Sequence, residues 1–373
     1  MKIGIIGHLK HPIAKPFAGG LESFTDSFVR CLVSRGHDVT LFASGDSDPS
    51  HPLSSIIERS TIADSHRRLG RVHHEWIESV EDESYERLMM NLSGQSFDVI
   101  HNHSLNPIPL RFAAVLPVPL VTTLHAPPLV RMVDELRNRS SERCGRFINI
   151  SKANADAWSP WVDHQDVIHN GVDTLFWNAP GQSRLVRAIW FGRILPDKGT
   201  HLAIAAAEQA GIALDVVGPV SDEQYFDREV RPRLSQRIRY LGHRDHDELS
   251  HLISRSAVAL VTPCWDEPFG LVVAEALACG TPVAGFARGA LPEIIDPSVG
   301  CLAEPDDIPG LADSIRHCLT LSAERCRMIA EERFSFDRMI DQYLKCYGQA
   351  AVYEGTTETT SEMVAEIAAE IAA

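Results

Sequence analysis

The chain has 373 residues, enough for two domains that each close their own hydrophobic core. An apolar fraction of 44% and a charged fraction of 23% exclude a disordered, collagen-like or coiled-coil chain. With 35 basic and 50 acidic residues the net charge is −15, which argues against general nucleic-acid binding and against broad adsorption to anionic membranes.

In chain order, Lys2–Gly7 reads as a strand, and Gly20–Ser34 as a helix that Gly36 ends. Val39–Ala43 is a second strand, and the polar, His-rich residues 44–95 give helical patches without clear limits. Asp98–His101, Leu120–Leu124 and Phe147–Ser151 read as further strands. Asn178-Ala-Pro-Gly-Gln-Ser183 is linker-like. A second series follows: strands at Ala188–Gly192, Ala213–Gly218, Ile238–Leu241, Val258–Thr262 and Pro282–Phe286, with helices at Thr200–Gln209, Leu249–Ser254 and Phe269–Cys279. Apolar runs alternating with helical patterns predict α/β architecture with parallel sheets. The predicted division is 1–178, 179–335, a helix over 336–350 returning to the N-terminal domain, and a mobile tail over 351–373.

The cysteines at 31, 144, 264, 279, 301, 318, 326 and 346 form no C-x-x-C pair and read as reduced, mostly buried thiols. Ile3–Gly7 is too short for a signal-peptide core, and no run approaches the ~18–20 apolar residues of a membrane span. These features predict a cytoplasmic chain without a transmembrane segment.

The most informative stretch runs from Cys264 to Pro282, with Glu267 and Glu275 eight positions apart. Pro268 suits a first helical position and Gly280 the position just past the end. The intervening helix is apolar on nearly every face, so Glu275 is a carboxylate in apolar surroundings and requires partners. Sugar hydroxyls would serve, and so would a core arginine. Arg193 and Lys198 lie in the turn between a strand and a helix, where the helix dipole disfavours cations. A shared anion such as a diphosphate would explain both, as would a solvated loop with Asp197 neutralising one charge. The G-x-G-x-x-G fingerprint of dinucleotide-binding enzymes and the Walker A loop are missing.

These residues resemble the retaining glycosyltransferases of family 4, which have the GT-B fold. Glu267-x7-Glu275 is similar to that family's paired glutamates, and Gly192-Arg193…Lys198-Gly199 to its diphosphate-binding turn. Gly19-Gly20, Thr123-Leu-His125, Ile150-Ser151, Asn170-Gly171-Val172-Asp173, Val217-Gly218, Leu241-Gly242 and Gly289-Ala290-Leu291-Pro292-Glu293 follow in the family's order. Tyr343 and Tyr347 lie in the returning C-terminal helix. The resemblance spans roughly residues 1–350. Two positions depart from it: Gly289-Ala290, after Arg288, stands where Gly-Gly is usual, and His169 where proline is commoner.

The resemblance implies two Rossmann-like domains facing each other across a cleft, and transfer of a hexose from a nucleoside diphosphate sugar to a hydroxyl acceptor with retention. A UDP-sugar is expected as donor, with no metal and no other cofactor. Arg193 and Lys198 would hold the diphosphate, and Gly19 and Gly20 would let the main chain approach it. Glu275 would accept from the ribose. Glu267, with the amides of Phe269, Gly270 and Leu271, would grip sugar hydroxyls and phosphate. Gly242 and His243 would frame the nucleobase, Gly218 would lie at a donor-binding strand end, and His125 would bond the sugar or acceptor. A non-catalytic nucleotide-sugar-binding protein, or a sucrose-synthase- or phosphorylase-like enzyme, would use the same residues. Outside this set, His101 and His103 would share a strand face but lack a third metal ligand. Arg131, Arg137, Arg139, Arg143 and Arg146 form a basic run, read either as a solvated face paired with Asp134, Glu135 and Glu142 or as a site for an anionic acceptor or lipid.

Overall fold

Seven parallel strands build the first sheet: β1 (Lys2–Ile6), β2 (Asp38–Ser44), β3 (Leu53–Ile57), β4 (Val99–Asn102), β5 (Leu120–Leu124), β6 (Arg146–Asn149) and β7 (Gln165–Val167), in the order β3-β2-β1-β4-β5-β6-β7. Six more build the second: β8 (Leu185–Phe191), β9 (Ala213–Val217), β10 (Ile238–Tyr240), β11 (Ser256–Val261), β12 (Val283–Phe286) and β13 (Gly300–Ala303), in the order β10-β9-β8-β11-β12-β13. This computed structural model describes residues 1–92, 94–178 and 185–354. Linker residues 179–183 and residues 355–373 of the predicted 351–373 tail lie outside them; residues 351–354 of that tail continue the C-terminal helix instead.

The chain divides into two compact units. One comprises Met1–Ile150, Asn154–Ile168 and the chain from Ile340; the other comprises Ser151–Ala153 and His169–Met339. In the first, Ile3, Ile5, Ile6, Val99, Ile100 and Val121 are fully buried, the continuous apolar pattern of strands covered on both faces. In the second, Ala203, Ala206 and Ala207 of the helix Thr200–Ala210 bring it close to a sheet core of Trp190, Leu214, Val216, Leu260 and Phe286. The C-terminal helix Phe336–Glu354 belongs to the first unit from Ile340, where Tyr343 and Tyr347 are fully buried.

Each sheet reverses its winding order once, at β1/β4 and at β8/β11. In open parallel sheets, ligands bind beyond the carboxyl ends of strands at such reversals. Arg193 and Glu267 follow β8 and β11, while Gly19 and His103 follow β1 and β4.

Residues 44–95, left unresolved by periodicity, hold β3 and the helices Thr61–Leu69 and His74–Leu92. β7, β13 and the helices Val130–Arg139, Ile308–Cys318 and Ala323–Phe334 also escaped the pattern. The helix expected over Phe269–Cys279 spans Leu271–Ala278, because Gly270 adopts a left-handed conformation (φ 87°) just before it. Pro268 therefore precedes the helix rather than opening it. Of the eight cysteines, none of them in a disulfide, Cys144, Cys318, Cys326 and Cys346 are buried and Cys264 is exposed. Among the described residues no helix is long and apolar enough to cross a membrane.

Candidate functional site

Two turns at the carboxyl edge of the second sheet meet backbone to backbone. Gly192 donates its amide to the Val217 carbonyl at 3.0 Å, and Gly218 donates to that of Gly242 at 3.0 Å. A Cβ on Gly218 would lie 1.8 Å from the Gly192 carbonyl oxygen, and φ is 144° there, so only glycine fits. This contact fixes the turn that carries Arg193, which is exposed and has no carboxylate partner among the described residues. Pro196–Lys198 forms one 3-10 turn, ended by Gly199 at φ 62°. Thr262, at the end of β11, accepts from the buried Trp190 indole at 3.2 Å and donates to the Gly199 carbonyl at 2.9 Å. The Cys264 amide donates to Asp197 at 2.8 Å. Asp197 thus serves the loop through its backbone, and Lys198 is carried against the strand that leads to Glu267.

The Lys198 ammonium donates to Glu267 Oε2 at 2.6 Å. The same oxygen accepts from the Trp265 indole at 3.1 Å, and the ammonium lies 5.1 Å from the centre of that ring. Glu267 is fastened from behind: Ala290 donates its amide to the Glu267 carbonyl at 2.9 Å, and a Cβ on Gly289 (φ 55°) would lie 2.4 Å from the Glu267 nitrogen. Ala290 is fully buried, and Arg288 is committed to Asp306 at 2.8 Å. Val273 makes the first bond of the following helix, to the Gly270 carbonyl at 2.9 Å. The amides of Phe269, Gly270 and Leu271 precede it at the positive end of the dipole.

Glu275 is half-buried, and its carboxylate has no hydrogen bond or ion pair among the described residues. The core arginine that would have explained it structurally is not there. Burial pushes its carboxyl up to about 7. Gly242 adopts φ 79° with open space around it, and His243 is exposed. Glu293 is spent on structure: it accepts from the Lys152 amide at 2.8 Å and meets His169 Nε2 at 2.5 Å. His169 thus has a role in holding Glu293 that the sequence did not reveal.

In the first unit, His125 follows β5 and is half-buried. Its Nε2 lies 2.6 Å from His103 Nδ1, and the Phe24 ring packs 4.9 Å away. Burial pushes His125 down to about 3, with the nearby His8 adding to the effect. His125 is therefore neutral at physiological pH. Gly19 precedes the helix Gly20–Ser34, and Gly20 opens it. His101 is engaged at both ring nitrogens by Thr123 and Tyr347, and His103 Nδ1 meets His125; neither histidine belongs to a described group with metal-like spacing. The one described group with metal-like spacing is Asp26, Asp48 and His51. There Arg30 already bonds both carboxylates, at 3.0 and 2.8 Å. Four arginines of the basic run are paired with carboxylates, only two of them with the expected partners: Arg131 with Asp82, Arg137 with Asp134 at 3.6 Å, Arg139 with the buried Glu135 at 2.5 Å, and Arg146 with Asp166 at 3.4 Å.

Residues 18–175 match the family model described as Glycosyltransferase Family 4, and residues 182–333 match that described as Glycosyl transferases group 1. Glycogen synthase from Mycobacterium tuberculosis is 28% identical over 365 residues, covering 86% of this chain and 87% of that protein. D-inositol 3-phosphate glycosyltransferase from Mycobacterium bovis is 33% identical over 211 residues, covering 50% of this chain and 44% of that one. Among solved structures, Anabaena HepE in complex with UDP superposes with a TM-score of 0.74 at 20% identity, covering 94% of this chain and 100% of that one. Sucrose-phosphate synthase from Thermosynechococcus elongatus gives 0.72 at 20% identity, covering 93% and 98%. With both sheets parallel and both halves matched, the chain belongs to the group 1, family 4 glycosyltransferases of the GT-B fold.

Proposed function

We propose that the chain transfers a hexose from a UDP-sugar to a hydroxyl acceptor, retains the anomeric configuration and needs no metal. The observation that carries this is the charge arrangement beyond β8 and β11. Among the described residues Arg193 has no carboxylate partner, the one ion pair of Lys198 is with Glu267, and the Glu275 carboxylate has no partner. A nucleoside diphosphate sugar complements all three: its diphosphate takes Arg193 and Lys198, and its hydroxyls donate to Glu267 and Glu275. Gly242 and His243 frame the nucleobase, Gly218 lies beside the donor, and the main chain at Gly19 and Gly20 admits the diphosphate. The family relatives support glycosyl transfer as the reaction class.

Catalysis on this reading is electrostatic. The bond between the sugar anomeric carbon and the diphosphate oxygen breaks, and charge grows on that oxygen. Arg193, Lys198 and the amides of Phe269, Gly270 and Leu271 stabilise it without reorganising. The acceptor oxygen bonds the anomeric carbon on the same face, and its proton passes to the departing diphosphate oxygen. His125 offers a neutral imidazole to a sugar or acceptor oxygen. Glu267, committed to Lys198 and Trp265, acts as a hydroxyl acceptor rather than a nucleophile.

The test begins with a thermal-shift screen of UDP-, GDP- and ADP-glucose and the corresponding mannose forms. The stabilising donor is then incubated with candidate sugar, polyol and lipid acceptors. Nucleoside diphosphate released only when an acceptor is present, with a product of unchanged anomeric configuration, supports the proposal. Binding without release across the acceptor series favours a non-catalytic sugar-nucleotide protein, and an inverted product overturns retention.

A further inference from the structure

The first unit sets three imidazoles in a row: His101 in β4, with His103 and His125 just beyond the ends of β4 and β5. Ring centres lie 3.9 Å apart between His101 and His103, and 4.9 Å apart between His103 and His125. Phe24 packs against His103 and His125, at 5.6 and 4.9 Å, and Phe28 against His101 and His103, at 5.4 and 5.3 Å. From the C-terminal helix, Tyr347 places its hydroxyl 2.5 Å from His101 Nδ1. Thr123 bridges His101 Nε2 at 2.7 Å and the Tyr343 hydroxyl at 3.2 Å. Burial keeps all three rings neutral, so each carries one N–H.

His101 has hydroxyl partners at both nitrogens, whereas His103 and His125 share one hydrogen bond and have one free nitrogen each. His103 Nε2 is fully buried with no partner among the described residues. His125 Nδ1 has no protein partner among the described residues. Two proton arrangements satisfy the shared bond. If His125 donates from Nε2, the single proton of His103 must sit on Nε2, as a buried N–H with no acceptor. If His103 donates from Nδ1, only a lone pair is left unfilled there. Native interiors avoid the orphaned N–H more strictly.

We propose that His103 is a positioning residue for His125: its Nδ1–H donates to His125 Nε2, fixes the proton of His125 on Nδ1, and so makes His125 present an N–H donor rather than a base. The identity of the oxygen that receives this N–H rests on the glycosyl-transfer proposal, but the tautomer does not. A His125 fixed in this form stabilises oxygen charge and cannot take the acceptor proton at Nδ1, in keeping with transfer of that proton to the departing diphosphate.

The full chain labelled with 15N-histidine tests this by long-range 1H–15N correlation at neutral pH, with the two rings assigned from His125→Gln and His103→Asn. The expected wild-type pattern is a neutral His125 protonated on Nδ1. His103→Leu, which removes the donor, should shift His125 toward Nε2 protonation. His103→Asn, whose amide nitrogen stands near the place of Nδ1, should keep the native tautomer. With UDP-glucose as donor probe, His103→Leu should lower turnover roughly 10-fold or more, as loss of a supporting hydrogen bond does, with His103→Asn restoring most of it. A wild-type His125 protonated on Nε2 would overturn the proposal even if His103→Leu failed to fold. An unchanged His125 tautomer in a folded His103→Leu would do the same. Absence of any UDP-glucose turnover in the wild type would instead count against the donor assignment and leave the tautomer measurement decisive.

Discussion

Glu275 is charged only at a cost in the ligand-free chain, because burial raises its ionisation from 4.5 to about 7. The sign of its effect follows. As pH rises from the unfolded value through the folded one, the fold must accept a charge it disfavours, so Glu275 lowers apo stability progressively over that interval. Glu275→Gln removes this cost, and the apo variant should melt at the same temperature or slightly higher at pH above about 7. On the proposed reading, donor hydroxyls would reverse the preference by stabilising the carboxylate. Calorimetric titration in buffers of different ionisation enthalpy should therefore show UDP-glucose binding releasing a proton near neutral pH. Glu275→Gln should abolish that release and weaken binding by about one to two orders of magnitude, since charge-assisted bonds contribute roughly 1.5–3 kcal/mol each. A large fall in melting temperature with intact donor affinity would remove Glu275 from the site.

The two cations make a complementary case. Arg193 is exposed, and Lys198 is paired across a partly solvated contact that contributes about 0–1 kcal/mol. Arg193→Ala or Lys198→Ala should abolish transfer with little change in melting temperature; near-normal turnover and donor affinity in either variant would exclude that cation. At this scale the sequence revealed the charged residues, because carboxylates and cations in apolar or dipole-opposed settings are conspicuous. Their neighbours were not legible. Trp265 contributes an N–H and a ring face to the Lys198–Glu267 pair, yet nothing in its spacing distinguishes it from a core aromatic. Glu293 looked like part of a binding loop and serves His169 and the Lys152 amide instead. His103 was noticed as half of a metal-like pair, and only the approach of β4 to β5 discloses His125 as its partner.

At the scale of the element, the turn from Gly192 to Thr200 depends on Gly199. A Cβ there would lie 2.0 Å from the Thr262 carbonyl oxygen, with φ at 62°. Left-handed backbone costs an L-residue roughly 1–2 kcal/mol before any clash is counted. Gly199→Ala should therefore destabilise the second unit by more than about 2 kcal/mol, once the clash adds to that backbone cost. It should also move Lys198 away from Glu267, so turnover falls more than the folded fraction does. Denaturant melts alongside single-turnover assays separate the two effects, and a normal rate in the folded fraction would contradict the placement of Lys198. The helix Leu271–Ala278 shows where local rules fell short. Pro268 and Gly280 both looked like terminus signals, but the left-handed Gly270 sets the start and leaves Pro268 in the approach.

Across the whole molecule, the central strands were legible because strands covered on both faces carry unbroken apolar runs. The edges were not. β3 (LSSII) is only half-buried, β7 has three residues, and β13 (GCLA) contains a glycine and little β-branched character. The helix His74–Leu92 hides its buried stripe because Glu81 and Ser84 interrupt Ile77, Tyr85, Leu88 and Met89. Glu81 is accommodated there by the Thr61 hydroxyl at 2.8 Å, a tertiary bond that no local pattern announces. The alternation of strands and helices sufficed for two parallel sheets, and Arg193 and Glu267 follow the carboxyl ends of β8 and β11. That placement makes the central claim measurable on the intact chain. Titration calorimetry with UDP-glucose in excess EDTA should give saturable binding that Lys198→Ala weakens at least about tenfold, the loss of one charge-assisted bond. Binding that appears only after manganese or magnesium is added, or that Lys198→Ala leaves unchanged, would contradict the account.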